Sequence, residues 1–351
     1  MKPFEYPPYL SDVSTIAESD LPWYKLAGKT VLISGGSGLI GSCLIDVLMK
    51  RNSIENLGCR VIALGRNEDR ARERFLEYWD NPLFSFVAQD INLPFALPVK
   101  ADYIIHLASN THPVAYATEP VQTILTNITG LQNMLEFARI CGDCRFAFAS
   151  SNEIYGENRG DVESFDEKYC GYIDSNTLRA GYPESKRCGE ALCQAYIAQY
   201  GLDIVIPRFT RSFGPTLLAS DTKALSQFLR NAARGEDIVL KSEGTQFYSY
   251  TYVADAVSGL LYVLLLGKSG EAYNIADESC DITLRDLAGE IAEAVGKKVV
   301  YELPEKTEAA GFSKVTKARL ASEKIHSLGW SCRFSLREGL AHTIGSLLQQ
   351  E

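Results

Sequence analysis

Short apolar runs alternate with longer amphipathic segments through residues 30–200 of this 351-residue chain. Apolar runs between turn-forming residues predict buried strands, and apolar residues at every third or fourth position predict helices with one buried face. This alternation predicts an α/β fold built on a doubly wound parallel sheet. The predicted strands are 31–33, 60–64, 84–88, 103–107 and 145–150, and the predicted helices are 39–49, 68–79, 120–140 and 182–200.

The pattern loosens from Leu217 onward. Helices are predicted over 225–234, 284–295 and 336–348, and a short strand over 299–302. The stretches between them lack a clear period. We therefore expect a smaller C-terminal α/β lobe that covers a ligand held on the main sheet.

A glycine-rich turn joins the first predicted strand to the first predicted helix. Gly35, Gly38 and Gly41 follow a G-x-x-G-x-x-G spacing, and Leu39 and Ile40 open the helix. Glycines at such a turn allow a tight bend, room for a phosphate and close packing of helix on strand, while the first helical amides face a pyrophosphate. This arrangement predicts a Rossmann-type dinucleotide site. An ordinary tight turn is the alternative interpretation.

The residues after the second and third strands refine the expected cofactor. A nucleotide-binding fold usually places a carboxylate after the second strand for the adenosine ribose, whereas this chain has Gly65 and Arg66 there. A guanidinium tolerates a 2′-phosphate, so NADP is favoured over NAD. Arg66 as a solvated loop residue is the alternative. Asp90 and Ile91, after the third strand, are candidate contacts to the adenine.

These patterns divide the chain into three parts. We expect an N-terminal extension over 1–27, a dinucleotide-binding domain over 28–210 that is completed by about 245–275, and a mainly substrate-binding lobe over 211–351. Prolines 3, 7, 8 and 22 argue against a long helix in the extension. Its aromatic residues indicate an arm packed on the body or on a second subunit, with disorder as the alternative.

Candidate catalytic groups follow the fifth strand. Lys186 lies four residues after Tyr182 and so on the same helical face. An ammonium beside a phenol lowers its pKa from about 10 toward the range in which it accepts a hydroxyl proton. Ser151 and Glu153 lie at the strand end, where a hydroxyl and a carboxylate can act on the same substrate. A chance Tyr/Lys spacing and a solvated Glu at a capped strand end are the alternatives.

Composition excludes several classes of partner. The net charge of −9 argues against nucleic acid and anionic membranes. No apolar run approaches the roughly 18 residues of a membrane span, and residues 1–20 are too polar for a signal peptide, so a cytoplasmic protein is expected. Nine scattered cysteines indicate reduced thiols, with C-G-D-C at 141–144 as a helix-to-strand turn. Histidines 106, 112, 326 and 342 lack ligand spacing, so no metal is predicted.

Taken together, these stretches resemble the extended short-chain dehydrogenase/reductases that act on nucleotide sugars, and the resemblance covers most of the chain. The matching segments, in chain order, are S-G-G-S-G-L-I-G (34–41), Asp90 with Ile91, H-L-A-S (106–109), Thr126 with Asn127, S-S-N-E-I-Y-G (150–156), Tyr182 with Lys186, R-F-T-R-S-F-G-P (208–215), Y-V-A-D (252–255), Y-N-I (273–275) and L-G-W (328–330). Within this group, the pattern is most similar to UDP-glucuronate decarboxylases and sugar-nucleotide 4,6-dehydratases.

The resemblance implies a set of site residues and a reaction. Tyr182 takes the proton of the sugar 4-hydroxyl as hydride passes to the nicotinamide, Ser151 polarises the oxygen, and Glu153 acts at carbon 5 or assists loss of a carboxyl group. Glu153 favours a lyase, because simple 4-epimerases commonly have a small or hydroxyl residue there. Further contacts are implied for the cofactor at Leu107, Ala108, Ser109 and Asn127, and for the substrate at Tyr116 and Arg179.

Three positions depart from the pattern of these lyases. Asn152 stands where dehydratases often have Asp and decarboxylases Ser. Tyr248 stands where decarboxylases have an Arg that engages anionic groups, while Arg211 replaces an Asn-type residue. A cation lost at one position and gained at another indicates a rearranged phosphate or acid contact at the substrate.

The resemblance leaves other functions open. A 4-epimerase and a net NADPH-dependent keto-sugar reductase are the alternative enzymes, and a dinucleotide-binding scaffold or sensor is the alternative without catalysis. The family also implies a homodimer that pairs through helices 120–140 and 182–200, with packing inside one chain as the alternative.

Overall fold

The computed structural model describes residues 5–94, 97–111, 113–302 and 316–349. Its largest sheet has the strand order β3-β2-β1-β4-β5-β7-β11, with β6 beside β7, and all of these pairs are parallel. The strands are β1 (Thr30–Ser34), β2 (Arg60–Gly65), β3 (Phe84–Ala88), β4 (Tyr103–His106), β5 (Arg145–Phe148), β6 (Ser150–Ser151), β7 (Asp203–Phe209) and β11 (Ala272–Ile275). This confirms the predicted doubly wound sheet.

Strand β1 occupies the centre of the sheet and is buried along its whole length. Leu32 pairs with Ile62 on one side and with Ile104 on the other. Val31 and Ile33 belong to the apolar core on one face, and Leu32 belongs to the core on the opposite face. A strand covered on both faces has no polar side, which is why it reads as a continuous apolar run.

Helices cover the two faces of the sheet. One face packs against α2 (Leu39–Glu55) and α9 (Val253–Leu266), and the other against α6 (Leu131–Cys141) and α7 (Gly181–Tyr200). Shorter helices connect them, namely α3 (Glu68–Arg74), α4 (Pro113–Thr118) and α5 (Pro120–Leu125). The predicted helix over 68–79 is therefore shorter than expected, and a 3₁₀ turn over Leu76–Tyr78 follows it.

The expectation that the N-terminal extension contains no long helix was wrong. Helix α1 (Pro7–Ala17) begins with its two prolines, where the missing amide protons are not needed for helical hydrogen bonds. Tyr9 is buried and its hydroxyl donates to Asp46 of α2 at 2.5 Å. Asp12 accepts from Tyr252 at 2.6 Å. The extension thus packs on the body of the same chain, one of the two predicted arrangements.

The predicted helix over 120–140 is interrupted near its middle. A π-helical turn over Thr126–Gly130 joins α5 to α6, so the segment carries one wide turn. Cys141 ends α6, and Gly142 turns the backbone at φ +81° before β5 begins at Arg145. This confirms the C-G-D-C segment as a helix-to-strand turn.

The C-terminal lobe contains two small sheets. Strand β10 (Phe247–Tyr252) pairs with β8 (Arg211–Phe213), β12 (Asp281–Thr283) and β14 (Lys317–Ala318), and β9 (Ile238–Leu240) pairs with β13 (Val299–Tyr301). The lobe helices are α8 (Ala224–Ala233), α10 (Leu284–Ala294), α11 (Glu323–His326) and α12 (Leu336–Leu348). The helices and the strand predicted here are present, with ends that differ by a residue.

Candidate active site

A cavity of about 390 Å³ lies at the carboxyl ends of the main strands and extends under the C-terminal lobe. This is the edge at which doubly wound sheets bind ligands. The cavity brings together most of the predicted site residues. They are Gly35, Gly38, Leu39, Ile40, Gly41, Leu107, Ser109, Tyr116, Ser151, Asn152, Glu153, Arg179, Tyr182, Lys186, Arg211 and Tyr248.

The other predicted residues lie outside the cavity wall. Arg66 is exposed after β2, and Asp90 accepts from the Asn92 amide at 2.9 Å. Ile91 is buried against Gly130, the last residue of the π-helical turn. Ala108 packs its backbone against Gly35, and Asn127 is fully buried.

The glycine turn forms a cradle that a side chain would fill. Gly35 has φ +72°, and a Cβ there would lie 2.8 Å from the Ala108 nitrogen. A Cβ on Gly41 would lie 2.4 Å from the Gly35 carbonyl oxygen. Helix α2 begins at Leu39 without a side-chain cap, and Leu39 and Ile40 line the cavity. Its first-turn amides are therefore available to an anion such as a pyrophosphate.

Asn127 ties the cavity wall to the helix that carries Tyr182. Its side chain accepts from the Ser109 hydroxyl at 2.7 Å and donates to the Ser185 hydroxyl at 2.8 Å. Ser185 in turn donates to the backbone oxygen of Tyr182 at 2.8 Å. The π-helical turn places this amide between the two serines, so Asn127 holds the loop after β4 against α7.

Lys186 is buried and lies on α7, the helix that carries Tyr182. Its ammonium donates to the Ala149 carbonyl at 2.8 Å and lies 5.0 Å from the centre of the Phe148 ring. Its distance to the centre of the Tyr182 ring is 5.9 Å. Burial lowers the pKa of Lys186 from 10.5 to about 7. The amine can therefore exchange a proton near neutral pH.

Tyr182 has an environment that differs from the sequence expectation. Burial raises the pKa of the phenol well above 10, and the negative charge of Glu153 raises it further. Hydrogen bonding with Ser151, the charge of Arg179 and hydrogen bonding with Tyr116 oppose this shift. The expected low pKa was wrong for the protein alone, because burial of the phenol outweighs the nearby positive charge. The Lys186 ammonium donates to the Ala149 carbonyl.

Glu153 forms an ion pair that the sequence did not predict. It lies in a 3₁₀ turn over Asn152–Tyr155, which Ser151 caps by accepting from the Glu153 amide at 3.2 Å. Arg179 donates to the Glu153 carboxylate at 2.7 Å. The same guanidinium lies 4.7 Å above the Tyr116 ring. These residues are distant in sequence, and no local pattern signals their pairing.

Arg211 and Tyr248 face each other on the lobe side of the cavity. They lie on adjacent strands, since Arg211 pairs in register with Tyr250. The guanidinium carbon of Arg211 lies 3.4 Å from the centre of the Tyr248 ring. Its Nη1 is buried and has no hydrogen-bond partner among the described residues. The two positions that depart from the lyase pattern therefore contact each other.

The lobe also contributes cavity residues that sequence reasoning did not identify. They come from α8, the segment before it and the turn after β9, none of which carries a recognised motif. The polar ones are Asp221, Thr222, Lys223, Ser226, Gln227, Lys241, Ser242 and Gln246. Only the packing of the lobe on the sheet brings them to the site.

Within the described parts of the chain, no cluster of three or more His, Cys, Asp or Glu side chains is arranged to hold a metal ion. His112 lies outside those parts. In these described parts, no helix is both long and apolar enough to cross a membrane.

Comparison with known proteins assigns the family. Residues 31–276 match the model of the NAD dependent epimerase/dehydratase family. The chain belongs to this family. It is therefore an enzyme of the NAD dependent epimerase/dehydratase family, and the predicted family and fold are confirmed. UDP-glucuronic acid decarboxylase 3 of Arabidopsis thaliana is 32% identical over 310 residues, which are 88% of this chain and 86% of that protein.

Solved structures of family members have the same architecture. UDP-glucose 4-epimerase of Thermotoga maritima, solved with UDP-glucose, aligns with a TM-score of 0.77 and 26% identity over 92% of this chain and 99% of the epimerase. A dTDP-glucose 4,6-dehydratase of Streptomyces venezuelae, solved with NAD, aligns with a TM-score of 0.77 and 25% identity over 91% and 97% of the two chains. The cradle at Gly35 and Gly41 fits the pyrophosphate of such a cofactor.

Proposed function

We propose that this family member modifies a nucleotide-activated sugar through a transient ketone at carbon 4, and that it is a lyase. The observation that carries the proposal is that Tyr182, Ser151 and Glu153 line one cavity together with the glycine cradle. The relatives support the substrate class, because their names specify UDP-glucuronic acid, UDP-glucose and dTDP-glucose.

The cofactor would lie between the glycine turn and the catalytic helix. The amides of Leu39 and Ile40 would hold the pyrophosphate, and Lys186 and Tyr182 line the same cavity. Bound NAD or NADP supplies the chemistry of accepting a hydride from the sugar and giving it back. Since the hydride is returned, the cofactor is not consumed.

Tyr182 and Ser151 would act on the oxygen at carbon 4. The Tyr182 phenolate accepts the hydroxyl proton as the ketone forms, and the Ser151 hydroxyl donates a hydrogen bond to the ketone oxygen. A high pKa makes the phenolate a strong base, and positive charge in the site favours its ionised form. Arg179 is a nearby cation that the chain itself supplies.

Glu153 would act after the ketone has formed. A ketone at carbon 4 acidifies the hydrogen on carbon 5, so a carboxylate beside it can remove that proton and start elimination across carbons 5 and 6. In a uronic acid, the same ketone promotes loss of the carboxyl group as carbon dioxide. Arg179 donates to the Glu153 carboxylate at 2.7 Å and so orients it in the cavity.

Arg211 would bind the anionic part of the substrate. Its buried Nη1 lacks a partner among the described residues, and its guanidinium carbon lies 3.4 Å from the centre of the Tyr248 ring. A diphosphate offers the paired oxygens that a guanidinium binds best. Asn152 lines the same cavity and would contact the sugar.

A panel of UDP-, CDP-, GDP- and dTDP-sugars, each supplied with NAD or with NADP, tests the proposal through product masses. Loss of water or of carbon dioxide supports a lyase. An unchanged mass with inverted carbon 4 indicates the 4-epimerase, the activity named for the Thermotoga relative. Products that form only with stoichiometric NADPH consumption indicate the reductase. The proposal fails if the wild type converts none of the sugars. It also fails if Tyr182→Phe converts a sugar as well as the wild type does.

The NADP preference is the finer part of the proposal about the cofactor. Arg66 follows β2, lies outside the cavity wall and is exposed, so it can reach a 2′-phosphate at the sheet edge without strain. The NAD and NADP arms of the panel test it. Faster turnover with NADP supports binding of the 2′-phosphate by Arg66. Equal or faster turnover with NAD contradicts that role.

A homodimer is proposed on the exposed faces of α5 and α7, which pack against each other. Val121 and Leu125 are large apolar side chains exposed on α5. The exposed small residues of α7 lie three or four positions apart and are Cys188, Ala191, Ala195 and Ala198. An apolar stripe of this spacing on two adjacent helices is typical of helix packing between subunits.

A further inference from the structure

Tyr182, Tyr116 and Arg179 form a stack along one wall of the cavity. The rings of Tyr182 and Tyr116 are 4.8 Å apart and inclined by 27°. The Arg179 guanidinium lies 4.7 Å from the centre of the Tyr116 ring and is paired with Glu153 at 2.7 Å. Tyr182 therefore lies near both members of the ion pair between Glu153 and Arg179.

The stack is sheltered from solvent, so charges act strongly across it. Only 15% of the Arg179 side chain and 21% of the Glu153 side chain are exposed, and both rings are buried. Glu153 raises the pKa of Tyr182 and Arg179 lowers it. Other charged or titratable groups also act on the stack. The Lys186 ammonium lies 5.9 Å from the centre of the Tyr182 ring, and the charge of Asp221 acts on Tyr116. Tyr248, which contacts Arg211, interacts with Glu153 and Arg179.

We propose that the charge on Glu153 determines whether Tyr182 acts as a base or as an acid, and that Arg179 couples the two groups. This inference rests on the proposed function, in which both residues exchange protons with the sugar. It adds an order of events. Tyr182 releases its proton to the carbon 4 oxygen only after Glu153 has been protonated.

The coupling follows from the proton balance of the reaction. With Glu153 ionised, the Tyr182 phenolate is a strong base that takes the 4-hydroxyl proton and retains it. Glu153 then removes the hydrogen on carbon 5: the C5–H bond breaks, an O–H bond forms on the carboxyl, and the electron pair enters the enolate at carbon 4. The neutral carboxyl no longer opposes ionisation of Tyr182, and the charge of Arg179 favours it. Tyr182 therefore becomes a stronger acid at the same step at which the carbon 4 oxygen becomes basic.

Tyrosine titration by nuclear magnetic resonance tests this without cofactor or sugar. Protein labelled at the tyrosine Cζ carbon is titrated to pH 11, and the Tyr182 signal is assigned by its loss in Tyr182→Phe. Removing a neighbouring charge shifts a pKa by about one unit or more. We expect the ionised fraction of Tyr182 at pH 11 to rise about tenfold in Glu153→Gln, the equivalent of one pH unit.

Two further variants separate coupling from general disturbance. Arg179→Gln removes the positive charge and should lower the ionised fraction, whereas Arg179→Lys retains the charge and should preserve it. Glu184→Gln is a matched control, since Glu184 lies on α7 two residues from Tyr182 and pairs with Arg187. It should leave the Tyr182 titration unchanged. Circular dichroism of each variant verifies that it is folded.

The outcomes distinguish this inference from the proposed function. An unchanged or smaller ionised fraction in Glu153→Gln, or a larger one in Arg179→Gln, overturns the coupling even if the sugar panel gives a lyase product. A panel without any product removes the proposed function, while the titration still reports whether the two charges govern Tyr182.

Discussion

At the scale of single residues, the site depends on which proton each group carries. Tyr182, Ser151 and Glu153 line the cavity together, and of these three Glu153 is the one with a formal charge. Replacing its carboxylate by an amide keeps an oxygen that can accept from Arg179 and removes the base. The variant Glu153→Gln therefore separates ketone formation from the later step.

We expect Glu153→Gln to form reduced nicotinamide on addition of sugar nucleotide, because Tyr182 and Ser151 are unchanged. Product formation should fall by about 10² to 10⁴, the contribution of one general base. Absorbance of the nicotinamide and product mass, followed in the same reaction, measure the two steps. If reduction is abolished while hydrogen exchange at carbon 5 continues, the role assigned to Glu153 is wrong.

We expect Lys186 to be required for activity and to lower the stability of the folded protein. Its folded pKa of about 7 lies below its ordinary value of 10.5, so the unfolded chain binds more protons between these values and stability rises with pH across that window. Lys186→Met should abolish turnover and stabilise the cofactor-free protein by roughly 1–3 kcal/mol at pH 6, with a smaller gain at pH 9. Urea unfolding at the two pH values measures this. An equal gain at both contradicts it.

Single residues also show where sequence reasoning reached its limit. Tyr182, Lys186 and Glu153 could be chosen because strand ends and helical spacing place them at one edge of the sheet. The ion pair of Glu153 with Arg179 and the contact of Arg211 with Tyr248 could not, since long-range packing determines them. The pKa of Tyr182 was misjudged because helical spacing does not show how deeply the phenol is buried.

At the scale of elements, the turn between β1 and α2 carries the cofactor site. Gly41→Ala would place a Cβ 2.4 Å from the Gly35 oxygen, so the helix and turn must separate. We expect a loss of about 1–3 kcal/mol in unfolding free energy and weaker binding of the dinucleotide.

A second helical glycine supplies the control for this change. Gly289 lies in α10, and a Cβ there meets no atom within 4 Å. Gly289→Ala should stabilise the protein by about 0.5–1 kcal/mol through helix propensity and leave dinucleotide binding unchanged. Denaturant unfolding and calorimetric titration with NAD compare the two variants. If the two variants change stability and dinucleotide binding in the same way, the backbone cradle at Gly35 and Gly41 is not the cofactor site.

Elements with one local cause were predictable, and those with competing causes were not. Strands β1, β2, β4 and β5 are largely buried, so their apolar runs mark their positions closely, whereas β7 and β11 of the same sheet were not predicted. Helix α1 was missed because prolines exclude a helix interior but are tolerated in its first turn. The π-helical turn over Thr126–Gly130 leaves no mark in apolar spacing, because its role lies in the Ser109–Asn127–Ser185 hydrogen bonds.

At the scale of the whole molecule, helix α1 links the sheet to the C-terminal lobe. Its Tyr9 donates to Asp46 of α2, and its Asp12 accepts from Tyr252 of β10 and contacts His342 of α12 at 2.9 Å. Strand β11 returns from the lobe region to the main sheet beside β7. Pairings between such distant segments could not be read from the sequence, which is why the arrangement of the lobe was not predicted.

The proposed dimer is also a property of the whole molecule. Ala195→Glu would place a charge in the α7 stripe, and light scattering should show twice the chain mass for the wild type and a single chain for this variant. Ala294→Glu, on the exposed side of α10, is the matched control and should remain dimeric. A wild type of single-chain mass would remove the proposed interface.

The central claim is that a hydride leaves carbon 4 of the sugar and returns to the same molecule. A sugar nucleotide labelled with deuterium at carbon 4 tests this most directly when it is converted by wild-type protein in ordinary water and the product is weighed by mass spectrometry. We predict that the product retains one deuterium and that the Tyr182→Phe variant forms no product. Complete loss of the label from the product, with or without net oxidation or reduction of the nicotinamide, would contradict it.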